Sequence, residues 1–236
     1  MTKKTIICIP GLGASKAFFA ALGQTHLARQ SQLMPIDLPG FGGFWGQGVA
    51  DDPIAAAADR VAREVAGIGG RDVILVGHSL GGAVAILAAA GAEERVHGVV
   101  SIEGNMVAED CGLSRQFATA ATLADLERIK ADAMQKAADS ANAGVRDWAR
   151  AVGPVFAATL AKYSKELVEL SDSEALLRQF RAAEYRKLFL YGEDYLGHPV
   201  LGRLQSIPMD YVAGAGHVSF IGDAPEACAL AISKLL

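Results

Sequence analysis

Ser79 lies between two glycines in Gly77-His78-Ser79-Leu80-Gly81, and the flanking segments say how it is held. Val73-Ile74-Leu75-Val76 before it is the apolar run of a buried strand, and Gly82-Ala83-Val84-Ala85 after it opens an alanine-rich helix. A turn this tight puts the apex residue in a strained backbone conformation, and side chains two positions either side would collide across it. Glycine at 77 and 81 removes that collision. The serine hydroxyl then stands above the sheet edge, with the helix N-terminus aimed at whatever it attacks. This arrangement is a nucleophile elbow, and it offers covalent catalysis by serine. A neutral hydroxyl is a weak nucleophile, so a base within hydrogen-bond reach and a third group orienting that base are needed. Five histidines are available as the base: His26, His78, His97, His198 and His217.

The elements that must position these groups follow from the hydrophobic pattern. Thr5 to Ile9 reads as a buried strand, with the turn Pro10-Gly11-Leu12-Gly13-Ala14-Ser15 after it. A helix is expected over Lys16 to Gln30 and a strand over Gln32 to Asp37. Asp51-Asp52-Pro53 reads as an N-cap with proline just inside a helix that runs to Ala66, where Gly67 to Gly70 stop it. Val96 to Glu103 is another β-branched strand. Strands and helices alternating at these lengths predict βαβ units and a parallel sheet. From Asn105 to Tyr185 the patterning is helical only. It includes a helix start at Thr122-Leu123-Ala124-Asp125, a break at Gly153-Pro154 and a last helix from Ser171. Strand patterning resumes at Arg186 to Tyr191 and again at Met209 to Val212, before a closing helix from Ala224. A helical insert therefore interrupts an α/β core.

Pro10-Gly11-Leu12-Gly13, Asp37-Leu38-Pro39-Gly40-Phe41-Gly42, the elbow through Gly82, and Gly214-Ala215-Gly216-His217 before the last helix lie in order along the chain. On these motifs the chain resembles the α/β-hydrolase-fold superfamily, in a short version that starts at what the family would call its third strand. The resemblance implies a mostly parallel sheet of about six strands with helices on both faces and an inserted helical cap. The core would be residues 1–104 and 186–236, and the cap residues 105–185. It also implies the order serine, acid, histidine, with Ser79 as nucleophile and His217 as base. His78 neighbours Ser79, but its side chain should face away and serve packing. His198, in Gly197-His198-Pro199, reads as a loop residue, and His26 and His97 as helix and strand-edge residues without chemistry.

Two acids remain open. Most of the superfamily takes its acid after the strand found here at Leu188 to Tyr191, which points to Asp194, one residue short of the usual spacing. Some members take it from the end of the preceding strand, which points to Glu103. Glu103 is preferred, because its strand end reads as undistorted, and Asp110 is a third candidate. The Leu80 amide, directly after the nucleophile, and the Leu12 amide, between two glycines, are the expected oxyanion donors. Phe117, Met134, Trp148, Phe156 and Tyr163 are candidates to line a pocket under the cap, although aromatics on amphipathic helices are mostly core.

Composition narrows the alternatives. The chain has 236 residues, 51% hydrophobic and 20% charged, which provides a sizeable core. A net charge of −4 argues against a nucleic-acid or anionic-membrane surface, so a small-molecule substrate is expected, with the chain a monomer or homodimer. The apolar run Ile6 to Ile9 ends at Pro10-Gly11, too short for a signal peptide, and the three scattered cysteines read as buried free thiols. Both point to the cytoplasm. No cofactor is expected, and no His/Cys/Asp cluster has metal-ligand spacing. Gly11-Leu12-Gly13 after a strand also suggests a dinucleotide site with Asp37 on the ribose, but Lys16 stands where the third glycine belongs. The expected function is hydrolysis of a small to medium carboxylic ester through an acyl-enzyme. Amide, thioester and carbon–carbon bond hydrolysis would use the same groups, and a non-catalytic or signalling binding protein on the same fold is the remaining alternative.

Overall fold

In a computed structural model of the protein, which describes residues 3–68 and 72–236, six strands form one sheet. They are β1 (Thr5–Ile9), β2 (Gln32–Pro35), β3 (Val73–His78), β4 (Val96–Ile102), β5 (Arg186–Tyr191) and β6 (Met209–Tyr211). All pairs are parallel, in the order β2-β1-β3-β4-β5-β6. The order reverses beside β1 and β3, and in open parallel sheets ligands bind beyond the carboxyl ends of the strands at such a point.

Parallel strands are buried on both faces, and alternate residues build two separate cores. Ile7, Ile9, Leu75 and Val99 face one core, shared with α2 (Pro53–Gly67) and α3 (Leu80–Gly91). Ile6, Cys8, Ile74, Val76 and Val100 face the other, under Phe19, Leu27, Phe220 and Cys228. Those four residues come from a 3-10 helix (Lys16–Gln24), α1 (His26–Gln30) and two helices near the C-terminus. The single helix expected over Lys16 to Gln30 is therefore two. Thr25 is extended between them (φ −88°, ψ 173°), and its hydroxyl donates to the Leu22 carbonyl and accepts from the Leu27 N–H.

Pro53 opens α2 as expected, but Asp52 makes no side-chain cap. Glu166 caps the helix instead, accepting from the Ile54 N–H at 2.6 Å and the Ala55 N–H at 2.9 Å. The helix ends at Gly67; Gly69 and Gly70 lie outside the described residues. Strand β2 stops at Pro35, short of the expected Asp37, although the Ile36 N–H still reaches the Cys8 carbonyl at 3.0 Å.

Between β4 and β5 the chain is helical: α4 (Gly112–Thr119), α5 (Leu123–Ala138), α6 (Ala143–Val152), α7 (Ala157–Asp172) and α8 (Ala175–Ala182). Side chains of this segment grip the sheet-bearing part directly. Tyr163 Oη donates to the Pro39 carbonyl at 3.0 Å and Trp148 Nε1 to the Leu12 carbonyl at 3.0 Å. Asn142 Nδ2 donates to Ser219 Oγ and Asp223 Oδ1. After β5 come α9 (Pro199–Arg203), then β6, α10 (Phe220–Asp223) and α11 (Pro225–Ser233).

Candidate active site

Ser79 ends the turn from β3 into α3 with φ 52° and ψ −123°, a conformation that disfavours any side chain. The sheet and helix hold it there: its N–H donates to the Ile102 carbonyl at 2.9 Å, and its carbonyl accepts from the Gly82 N–H at 2.8 Å. A methyl group on Gly77 would overlap the Gly81 carbonyl, and one on Gly81 would overlap the Ile9 carbonyl. The glycines are thus demanded by backbone contacts, and the close approach reaches β1 as well as the turn itself.

The neighbouring strand brings up Glu103. Register pairs His78 with Ile102, so the residues following each lie side by side at the carboxyl edge. Glu103 is fully buried. Its strand end is not undistorted as expected, for Glu103 itself has φ 45°. That turn points the carboxylate along the sheet edge. Oε1 accepts from the Gly192 N–H at 2.7 Å, and Oε2 lies 2.6 Å from Nδ1 of His217. A carboxylate at that distance from a ring nitrogen fixes a proton on Nδ1, which leaves Nε2 with a lone pair. Nε2 lies 3.3 Å from Ser79 Oγ.

Asp194, the rival acid, also meets His217, but at its main chain: Oδ2 accepts from the His217 N–H at 2.7 Å. His78 holds the same residue from the other side, its Nε2 donating to the His217 carbonyl at 2.9 Å. The His78 ring is stacked on Phe18, and burial, followed by the nearby His217, pushes its pKa well below the usual histidine range. Its Nδ1 has no hydrogen-bond partner among the described residues. Asp110 Oδ2 accepts from the Met106 and Val107 N–H groups at 2.6 and 2.8 Å, and Oδ1 accepts from Tyr195 Oη at 3.1 Å. Burial raises the pKa of Asp110 despite those donors. His198 stacks on Tyr195 and lies 3.7 Å from Asp110. His26 pairs with Glu226, and His97 contacts Arg186, both away from the serine.

Leu80 is the first residue of α3, so its N–H has no acceptor within the helix. Leu12 lies in the β1 turn with its carbonyl held by Trp148, and its N–H makes no hydrogen bond among the described residues. A cavity of about 590 Å³ opens over the serine, lined by Leu12, Ser79, Leu113, Trp148, His217 and Val218 among others. Of the five pocket candidates on the helical segment, Trp148 lines this cavity, Phe117 and Tyr163 are core and Phe156 is exposed. Met134 packs against the core and lines a separate shallow depression.

Asn105 was not among the expected residues. It is buried, and its Oδ1 accepts from Ser79 Oγ at 3.3 Å. The available signal was its place three residues past the end of β4, the strand beside the elbow. Asp37, the residue a dinucleotide reading would put on a ribose, instead accepts from the Lys16 N–H at 2.7 Å and the Gly43 N–H at 3.1 Å. Burial pushes the Cys8 and Cys228 thiols up to about 12, so neither is a thiolate at neutral pH. Among the described residues, no group of three or more His, Cys, Asp or Glu side chains is placed to hold a metal ion.

A parallel sheet with a strained serine at the end of a central strand, an imidazole and a buried carboxylate defines an α/β enzyme scaffold with a nucleophile elbow. The model of the alpha/beta hydrolase family matches residues 6–231, and the chain belongs to that family. No curated protein matches it. Among solved structures it is similar to a hydrolase from Pseudomonas aeruginosa PA01, at 19% identity and TM-score 0.75, covering 99% of this chain and 89% of that one. NosK from Streptomyces actuosus is similar at 20% identity and TM-score 0.71, covering 99% and 97%. A structure reported with carboxylesterases of the thaumarchaeon Nitrososphaera gargenis is similar at 14% identity and TM-score 0.72, covering 99% and 90%.

Proposed function

We propose that this protein is a serine hydrolase that cleaves a small to medium carboxylic ester through an acyl-enzyme intermediate. Ser79 is the nucleophile, His217 the base, Glu103 the acid, and the Leu12 and Leu80 amides receive the oxyanion. The observation that carries this reading is the continuous line from Glu103 Oε2 to His217 Nδ1 at 2.6 Å and from His217 Nε2 to Ser79 Oγ at 3.3 Å. Free-enzyme contacts of this kind are often long and tighten with substrate bound.

As Oγ bonds to the ester carbon, its proton moves to Nε2, and the buried Glu103 carboxylate stabilises the imidazolium. The two amides donate to the negative oxygen, where preorganised donors in a water-poor site act strongly. The imidazolium then protonates the departing alcohol. Water repeats the sequence on the acyl group, with His217 again as base. Asp194 is assigned a positioning role, since it holds the main chain of His217 and not its ring.

Residues 105–185 are assigned as a cap over the cavity, whose apolar lining suits an acyl chain. That a structural neighbour is reported with carboxylesterases favours ester over amide cleavage. The test is a panel of p-nitrophenyl esters from acetate to octanoate. Ser79→Ala should lower kcat by about 10⁶-fold on every ester that the wild type turns over, with little change in Tm. Retained turnover in that variant would overturn the proposal.

A further inference from the structure

We infer that Asn105 is a further catalytic residue, one that holds the water which releases the acyl group; this rests on the serine-hydrolase reading above. Ser79 Oγ lies 3.3 Å from His217 Nε2 and 3.3 Å from Asn105 Oδ1. A hydroxyl carries one proton, so it satisfies one of these acceptors at a time. The orientation of the amide is fixed by its other end: Nδ2 donates to the Asp110 carbonyl at 2.9 Å and faces Cys111 Sγ at 3.9 Å. Oδ1 is therefore the atom turned to the serine. Asn105 is only 4% exposed, and what it does expose lines the cavity beside Ser79.

Acylation changes what these two acceptors see. Once Oγ is an ester oxygen it has no proton to give. His217 has passed its proton to the leaving alcohol, and Nε2 again carries a lone pair. Two acceptors then flank the acylated oxygen with no donor between them. A water molecule has two O–H groups and fits that gap, donating one to Nε2 and the other to Oδ1, beside the acyl carbon.

In the hydrolytic step the water oxygen bonds to the acyl carbon as one of its protons passes to Nε2. The tetrahedral centre then collapses, the bond from carbon to Oγ breaks, and Oγ takes that proton back. The products are a carboxylic acid and the free enzyme. Asn105 gains and loses no proton; Oδ1 accepts from the second O–H and aims the water's lone pair at the carbon. In the resting enzyme the same oxygen competes for the serine proton. Removing it should therefore slow deacylation and leave acylation unchanged or faster, whereas mere loosening of the site would slow both.

The two half-reactions separate with p-nitrophenyl dimethylcarbamate, whose serine adducts hydrolyse slowly enough to follow by intact mass. The p-nitrophenol burst reports carbamoylation of Ser79, and decay of the adduct mass reports its release. Asn105→Ala should keep the burst rate and slow adduct decay by about 10²-fold, the scale of a misplaced reactant. Asn105→Asp, which keeps an acceptor oxygen, should recover decay to within about tenfold of wild type. Asn105→Leu matches the shape of the amide and replaces the alanine variant if that one does not fold. Unchanged decay, or burst and decay slowed in equal proportion, would overturn the inference. A wild type that forms no Ser79 adduct would instead overturn the hydrolase reading.

Discussion

Among the described residues, three other than glycine have positive φ, and two of them, Ser79 and Glu103, meet at the candidate site. Backbone of this kind costs about 1–3 kcal/mol per residue and persists where the surroundings over-determine it. Here the hydrogen bonds to Ile102 and Leu190 do so. The two acids make the sharpest contrast at this scale, for both bind His217, the buried Glu103 at the ring and the exposed Asp194 at the main chain. Glu103→Gln should lower kcat by about 10⁴-fold, as loss of the orienting carboxylate does in this kind of triad. Asp194→Asn should cost far less, because an amide oxygen still accepts from the His217 N–H. Steady-state kinetics on one p-nitrophenyl ester decide it, and equal mild losses would contradict both assignments. The family resemblance offered Glu103 and Asp194 as rival acids, and local sequence does not encode whether a carboxylate reaches ring or main chain. Asn105 stayed hidden for a related reason: an asparagine after a strand is an ordinary turn residue until the chain beyond β4 turns it onto the elbow, where its N–H reaches the Ser79 carbonyl at 3.4 Å.

At the scale of elements, β3 and the turn after it do two jobs, since His78 closes the strand and also holds the loop that bears His217. Its pKa is well below 6.5 in the folded protein and near that value in the unfolded chain. Above pH 6.5 the ring is neutral in both states and contributes no pH dependence. Below it the unfolded chain binds a proton that the folded protein refuses. Stability therefore drops as the pH is lowered below 6.5, by up to about 1.4 kcal/mol per unit. His78→Gln lacks that group, so urea melts between pH 7 and pH 5 should show a shallower loss than wild type. Asp110 runs the other way, since burial raises its pKa, but it is common to both proteins and cancels. Parallel curves would show that His78 is protonated in the folded state. Strands of this sheet were legible: β1 and β5 have the bounds their sequence patterns predict. The helix over Lys16 to Gln30 was not, because one hydroxyl at Thr25 ends one helix and starts the next. Nor was the cap of α2, whose partner Glu166 is 112 residues from Ile54 in the chain.

Over the whole molecule, parallel strands buried on both faces give a rigid edge from which the serine, the glutamate and the histidine loop all project. The helical segment between β4 and β5 closes over that edge, and its anchors reach the chemistry. Trp148 holds the Leu12 turn, and Asn142 holds Ser219 and Asp223 beside the His217 loop. No helix among the described residues is long and apolar enough to cross a membrane. The alternation of strand and helix made this architecture readable, and the change of period at Asn105 marked the helical segment, but contacts between distant segments left no trace in local pattern. The proposed function rests at this scale on one nucleophile, Ser79. Treatment with a serine-directed fluorophosphonate, followed by peptide mass mapping, tests it most directly. The account predicts one adduct, on Ser79, with ester hydrolysis lost in proportion to labelling; an adduct elsewhere, or full activity after Ser79 is modified, would contradict it.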